Sequence, residues 1–138
     1  MVAKRIDPEA ERLIRVLDEG FDRKAWHGPN LRGAIRGIIA SEAVLRRAGG
    51  RHNIWEVVVH ATYWKYAVRR RLTGGRRRSF GERGSNWFAR SGTGCDDSWR
   101  QDVARLDESI ACCARRWRQL IPDSWMRVPR GRNTPTAT

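Results

Sequence analysis

Three histidines and one glutamate carry most of the chemistry open to this chain. His60 and Glu56 lie four residues apart inside "HNIWEVVVHATYWKYAVRRRL", residues 52–72. On a helix that spacing puts both on one face. An imidazole nitrogen and a carboxylate one turn away are ligands that zinc or another divalent cation accepts. A cation held there would lower the pKa of a bound water or thiol and turn it into a nucleophile. Zinc generally takes about three or four protein ligands, so this pair needs help. His52, just ahead of the helix, and His27, before a Gly28–Pro29 break, are the candidates to supply it. His52 would have to fold back along roughly 10 Å of helix to meet His60. The competing reading makes His60 a hydrogen-bonded core histidine, Glu56 a cap, and His27 and His52 loop residues with local hydrogen bonds.

Other chemistries find less support. Cys95, Cys112 and Cys113 lack CxxC spacing, which argues against a disulfide framework or a zinc ribbon and for buried or incidental thiols. "GGRRR" has no P-loop Lys–Ser/Thr after it. Trp55, Tyr63, Trp64 and Tyr66 could stack on bases, but at helical spacing they read first as packing residues. Trp87 and Phe88 could line a pocket, or simply anchor a long loop.

The net charge is +13. Residues 66–90 hold 8 basic groups against Glu82, and residues 115–138 hold 6 against Asp123. Such blocks attract phosphate, so a basic nucleic-acid-binding or protein-interaction module is the alternative to an enzyme. Arginine on solvated faces explains the same blocks without function. No apolar run reaches the roughly 18 residues of a membrane span, and the N-terminus lacks the apolar core of a secretory signal. A cytoplasmic setting without membrane contact is expected.

Helices must position these residues. Asp7 and Pro8 start one that runs through Leu13, Ile14, Leu17 and Phe21. Asn30 caps a short helix, and "SEAVLRRAGG" supplies a second short helix or turn. Asn53 and Glu56 form a capping box for a long helix that ends near Leu72 and Gly74, with Arg69–Arg71 in its last turn. Its apolar stripe is read as Ile54, Val57, Val58, Ala61, Trp64, Ala67 and Val68. Residues 74–95 are a Gly/Arg-rich loop, long enough to be functional or disordered. Trp99, Val103, Leu106, Ile110, Cys113, Trp117 and Leu120 then recur at spacings of four and three, the seam of a bundle helix. Pro122 stops that helix, and residues 122–138 are expected to be a disordered tail behind one helical domain, residues 1–121. The fold class is all-α, an antiparallel helix bundle.

With His60 on that long helix, "WHGPNLRGAIRG", the capped block from Gly50 to Gly74 and "GSNWF" resemble the DinB-like superfamily of bacterial four-helix bundles, over about Asp18 to Leu120. The resemblance implies a divalent metal, zinc or nickel-like, held by one histidine of the second long helix and an HxxxH pair on the last. It also implies metal-dependent hydrolases or thiol-dependent transferases, often dimeric. His60 matches the first ligand. No HxxxH occurs in these 138 residues, and the fourth helix is expected to be missing or degenerate. The expectation is therefore a metal-dependent enzyme frame with an incomplete site, and metal binding that is weak or absent. A homodimer would cover its open side, and the small-molecule substrate is left unnamed.

Overall fold

Polar side chains at the helix starts set where the chain becomes helical. The computed structural model describes residues 8–26, 28–75, 80–82, 86–90, 92 and 94–120, leaving out the side chains of residues 9, 10 and 117–120. Its helices are α1 (Pro8–Phe21), α2 (Leu31–Ala34), α3 (Ala40–Ala43), α4 (Ile54–Leu72) and α5 (Asp96–Leu120). The Asn30 side chain accepts the Gly33 N–H at 2.7 Å and starts α2. Asn53 accepts the Glu56 N–H at 2.8 Å while Glu56 takes the Asn53 N–H at 3.2 Å, completing the capping box that opens α4. Gly74, at φ 63°, lets the chain turn out of α4 in a conformation that L side chains rarely adopt.

The fold is all-α as expected, but its two long helices run parallel rather than antiparallel. Near the start of each, Trp55 donates its indole N–H to Asp102 at 2.8 Å, and the Trp55 and Trp99 rings meet edge to face. Farther along both, Arg69 reaches the Cys112 sulfur at 3.1 Å. The intervening chain therefore returns the length of α4, about 28 Å, before α5 begins. About nine extended residues could cover that distance, and the connection from Leu72 to Asp96 is more than twice as long. The glycine-rich segment is this crossover. Short turns favour antiparallel neighbours, and a long connection removes that constraint.

Trp55, Val58 and Val59 of α4, Phe88 of the crossover, and Trp99 and Leu106 of α5 form the centre of the core, with Ala40 and Ala43 of α3. Two cross-links fix α3 and the turn ahead of it on α5: the Ala40 N–H donates to Asp96 at 3.0 Å, and the Trp99 indole donates to the Ile38 carbonyl at 2.7 Å. The α5 seam holds through Ile110, with Trp99 and Leu106 buried and Val103 and Ile110 packed beside them, and Cys113 is half-buried, while the side chains of Trp117 and Leu120 lie outside the described residues. The α4 stripe does not. Val58 and Ala67 are buried, along with Trp55, Val59 and Thr62, while Ile54, Val57, Trp64 and Val68 stay 39–43% exposed. α4 carries apolar residues on more than one face, so periodicity could not select the buried one. Among the described residues no helix is long and apolar enough to cross a membrane. The expected tail and missing fourth helix fall on residues 121–138, outside the described residues.

Candidate functional site

Glu56 and His60 of α4 and His52, just ahead of its cap, lie along one edge, and the crossover passes over the two histidines. His52 Nδ1 lies 3.4 Å from Glu56 Oε2. Trp87 sits between the two histidines. Its indole stacks on His52 with ring centres 3.5 Å apart and on His60 at 3.7 Å, with interplanar angles of 3° and 7°. His60 is half-buried, Trp87 lies at the rim, and Phe88, the next residue of the crossover, is buried. His27 lies outside the described residues.

Both ring nitrogens of His60 are in use. Nδ1–H donates to the Asn86 carbonyl at 2.6 Å. Nε2 accepts the Trp64 indole N–H at 3.1 Å. A carbonyl partner demands a proton on Nδ1, and an N–H partner demands a lone pair on Nε2, so this is the neutral Nδ1–H tautomer. The lone pair that would bind a metal is directed at an indole.

Glu56 is committed as well. Its carboxylate accepts from the Arg46 guanidinium at 2.6 Å, the Arg90 backbone N–H at 3.2 Å and the Asn53 N–H. Arg46 also donates to the Arg51 carbonyl. Burial pushes the Glu56 carboxyl up, but the hydrogen bonds from Arg90, Arg46 and Asn53 outweigh it and hold the group below the usual carboxylate range. Asn53 donates to the Arg90 carbonyl at 2.7 Å, so α4's cap and the crossover share a hydrogen-bond network.

The crossover's own arginine completes this arrangement. The Arg90 guanidinium bridges Glu82, at 2.6 and 2.9 Å, and Asp102, at 3.1 and 3.2 Å. Asp102 already takes the Trp55 indole and also accepts from Arg105 at 3.1 Å. The bonds to Glu82 raise Arg90's pKa, opposed by burial and aided by Asp102. Beside this cluster lies an open cavity of about 530 Å³, lined in part by Arg90, Cys95, Gln101 and Asp102. Sequence reasoning did not find Asp102 or Arg90, since nothing in "SWRQDVARL" or "NWFAR" marks a buried ion pair. Of the thiols expected to be buried or incidental, Cys112 and Cys113 are half-buried, and Cys95, just ahead of α5, is exposed with its pKa lowered by hydrogen bonds from Ser98 and Asp97.

The described residues do not fit a metal. His60 has no free nitrogen, His52 faces Glu56 and Trp87, and Glu56 is saturated with donors. No three histidine, cysteine or carboxylate side chains converge among the described residues. The arrangement instead fixes a long connection to a helix by stacking and hydrogen bonding. The aromatic side chains considered for base stacking are mostly spent internally. Trp55 is buried, and Tyr63 and Tyr66 pack on Phe80.

The family model described as the DinB superfamily matches residues 23–138. No curated protein and no solved structure matches the chain.

Proposed function

The chain belongs to the DinB superfamily, and from that premise we propose that it is a helical domain on the frame of metal-dependent enzymes, of the hydrolase or thiol-dependent transferase class, whose metal site is incomplete within these 138 residues. The observation that carries this reading is the pair of hydrogen bonds on His60. A ligand histidine keeps one nitrogen free for the metal and uses the other for an outer partner. Here both nitrogens hold protein groups, and the nearest ionisable neighbours, His52 and Glu56, are engaged with Trp87, Arg46 and Arg90. The same position therefore supports structure: it docks the crossover that lets α4 and α5 lie parallel.

The test is metal analysis of protein purified without a histidine tag, after incubation with zinc or nickel and extensive dialysis. The reading expects well under one metal per chain, unchanged in His60→Ala. One equivalent per chain that His60→Ala abolishes would overturn it.

A further inference from the structure

Because α4 and α5 run parallel, both helices finish at the same end of the bundle. Arg69 reaches the Cys112 sulfur there. Arg70 and Arg71 close α4, and Arg115 and Arg116 follow about one turn beyond Cys112. Two basic blocks that are far apart in sequence thus become one patch. Lys65 stands one turn before Arg69. The acidic groups gather elsewhere. Glu56, the one acid of α4, and Asp97 and Asp102 of α5 lie near the starts of their helices, where Arg46, Arg100, Arg90 and Arg105 pair with them. Farther along α5, Asp107 pairs with Arg32, and Glu108 is the last acid of the helix. None of the ion pairs among the described residues takes in Arg69, Arg70 or Arg71. On the α1 side, Asp18 and Asp22 share a cavity with Arg115, as do Arg23 and Arg32, so α1 bounds the patch.

Helix dipoles do not account for this much charge. A helix C-terminus carries about half a negative charge, so two of them offset about one cation. Lys65 and the five arginines exceed that several-fold. The rest of the sequence does not offset the excess. Arg76, Arg77 and Arg78 come next after Gly75, residues 121–138 hold Arg127, Arg130 and Arg132 against Asp123, and residues 1–7 hold Lys4 and Arg5 against Asp7. Like charges gathered in this way repel one another and attract a polyanion.

Phosphate is the anion that this set fits. All but Lys65 are arginines, whose planar guanidinium forks onto phosphate oxygens. A bilayer partner needs large apolar side chains beside the cations. In the last two turns of α4, Ala67 is buried, Tyr66 and Leu72 are half-buried, and Val68 alone is exposed. A single strand needs rings to stack on, but Tyr63 and Tyr66 pack on Phe80, and the Trp64 indole is tied to His60. We propose that this end of the bundle binds the phosphate backbone of double-stranded nucleic acid, without reading its bases. The patch begins about 13 Å along α4 from His60, so it does not depend on the incomplete metal site.

Fluorescence anisotropy of a short labelled DNA duplex of random sequence, titrated with the full chain across a salt series, tests this. Micromolar binding is expected, falling by about a hundredfold between roughly 50 and 200 mM salt, as for about four phosphates neutralised. Arg70→Gln/Arg71→Gln should weaken binding by about tenfold and lower the salt slope by about two. Arg71 is exposed, so Arg71→Gln alone, lowering the slope by about one, serves where circular dichroism shows the double variant unfolded. Arg36→Gln/Arg100→Gln removes the same charge beside the cavity near the start of α5, about 24 Å along that helix from Arg116, and should cost less than about twofold. Binding that does not respond to salt overturns the proposal. So do equal losses in the two double variants, which would make net charge rather than this patch responsible. Tighter binding to phosphatidylserine vesicles, or to a single strand of the same length, than to the duplex overturns it as well.

Discussion

Trp64 donates its indole N–H to Nε2 of His60 at 3.1 Å, across one turn of α4. The bond fixes which nitrogen of His60 carries the proton and uses up the lone pair a metal would need. It is a local i, i+4 contact, so the sequence "HATYW" contains both partners. What the spacing cannot tell is that Asn86 closes the other side of the ring from 26 residues away.

Replacing Trp64 with Phe removes that donor and keeps an aromatic ring. Long-range proton–nitrogen spectra should show His60 as the Nδ1–H tautomer in the wild type, with Nε2 shifting in the variant. The stability cost should be about 0.5–1.5 kcal/mol by denaturant unfolding, that of one ordinary hydrogen bond. Zinc retention should stay unchanged, because freeing one nitrogen does not assemble a ligand set. A variant that gains stoichiometric zinc would refute this account.

Glu56 predicts an acid-sensitive stability. Its folded pKa is held below the ordinary value by the donors around it, so the unfolded chain takes up the proton first. The stabilisation is fully present above the unfolded value of about 4.3 and is lost as pH falls through the lower folded value. Glu56→Gln keeps the shape but turns an NH2 group toward N–H donors. Unfolding free energy at neutral pH should fall by about 2–3 kcal/mol, and the acid dependence of stability should flatten. An unchanged acid limb in the variant would show that other carboxylates control it.

The contrast between Glu56 and Asp102 shows what was legible. Glu56 was readable because capping is local: Asn53, three residues of helix and a carboxylate suffice. The α5 seam was readable because one polar face makes its period visible. Asp102 was not, because its partners Trp55 and Arg90 come from α4 and the crossover and meet it only after the fold forms. The direction of α5 was hidden for the same reason. Glycines and arginines in the connection show that it is irregular, but not that Phe80, Trp87 and Phe88 lay it back along α4. The pattern of α4, with apolar residues on several faces, named Val58 and Ala67 of the buried set but missed Trp55, Val59 and Thr62.

Gly94 is a position where only glycine fits. A Cβ there would lie 2.8 Å from the Ala40 carbonyl oxygen and 3.0 Å from the Trp55 ring. Both neighbours are buried, and the oxygen belongs to backbone that α3 cannot easily move. Gly94→Ala should therefore destabilise the fold by about 1–3 kcal/mol. Gly20→Ala, with open space at its Cβ, should not destabilise it, and with alanine's higher helix propensity should stabilise it slightly. Thermal unfolding of the two variants side by side gives the comparison, and equal melting temperatures would contradict it.

Cys95 should be the reactive thiol of the three. It is exposed just ahead of α5, whereas Cys112 and Cys113 are half-buried in the middle of that helix. The backbone N–H groups of Ser98 and Asp97 and the Ser98 hydroxyl hydrogen-bond the sulfur and pull its pKa below the ordinary thiol value, while the Asp97 charge opposes them. The thiolate is the nucleophile, so iodoacetamide should label Cys95 first, with a pH midpoint below that of an ordinary cysteine thiol. Ser98→Ala should move that midpoint up by removing a donor, and Asp97→Asn should move it down by removing the opposing charge. Peptide mass spectrometry after short alkylation across a pH series reads all three sites at once. Labelling of Cys112 or Cys113 at the same rate would mean that α5 opens far more readily than its packing against α4 implies.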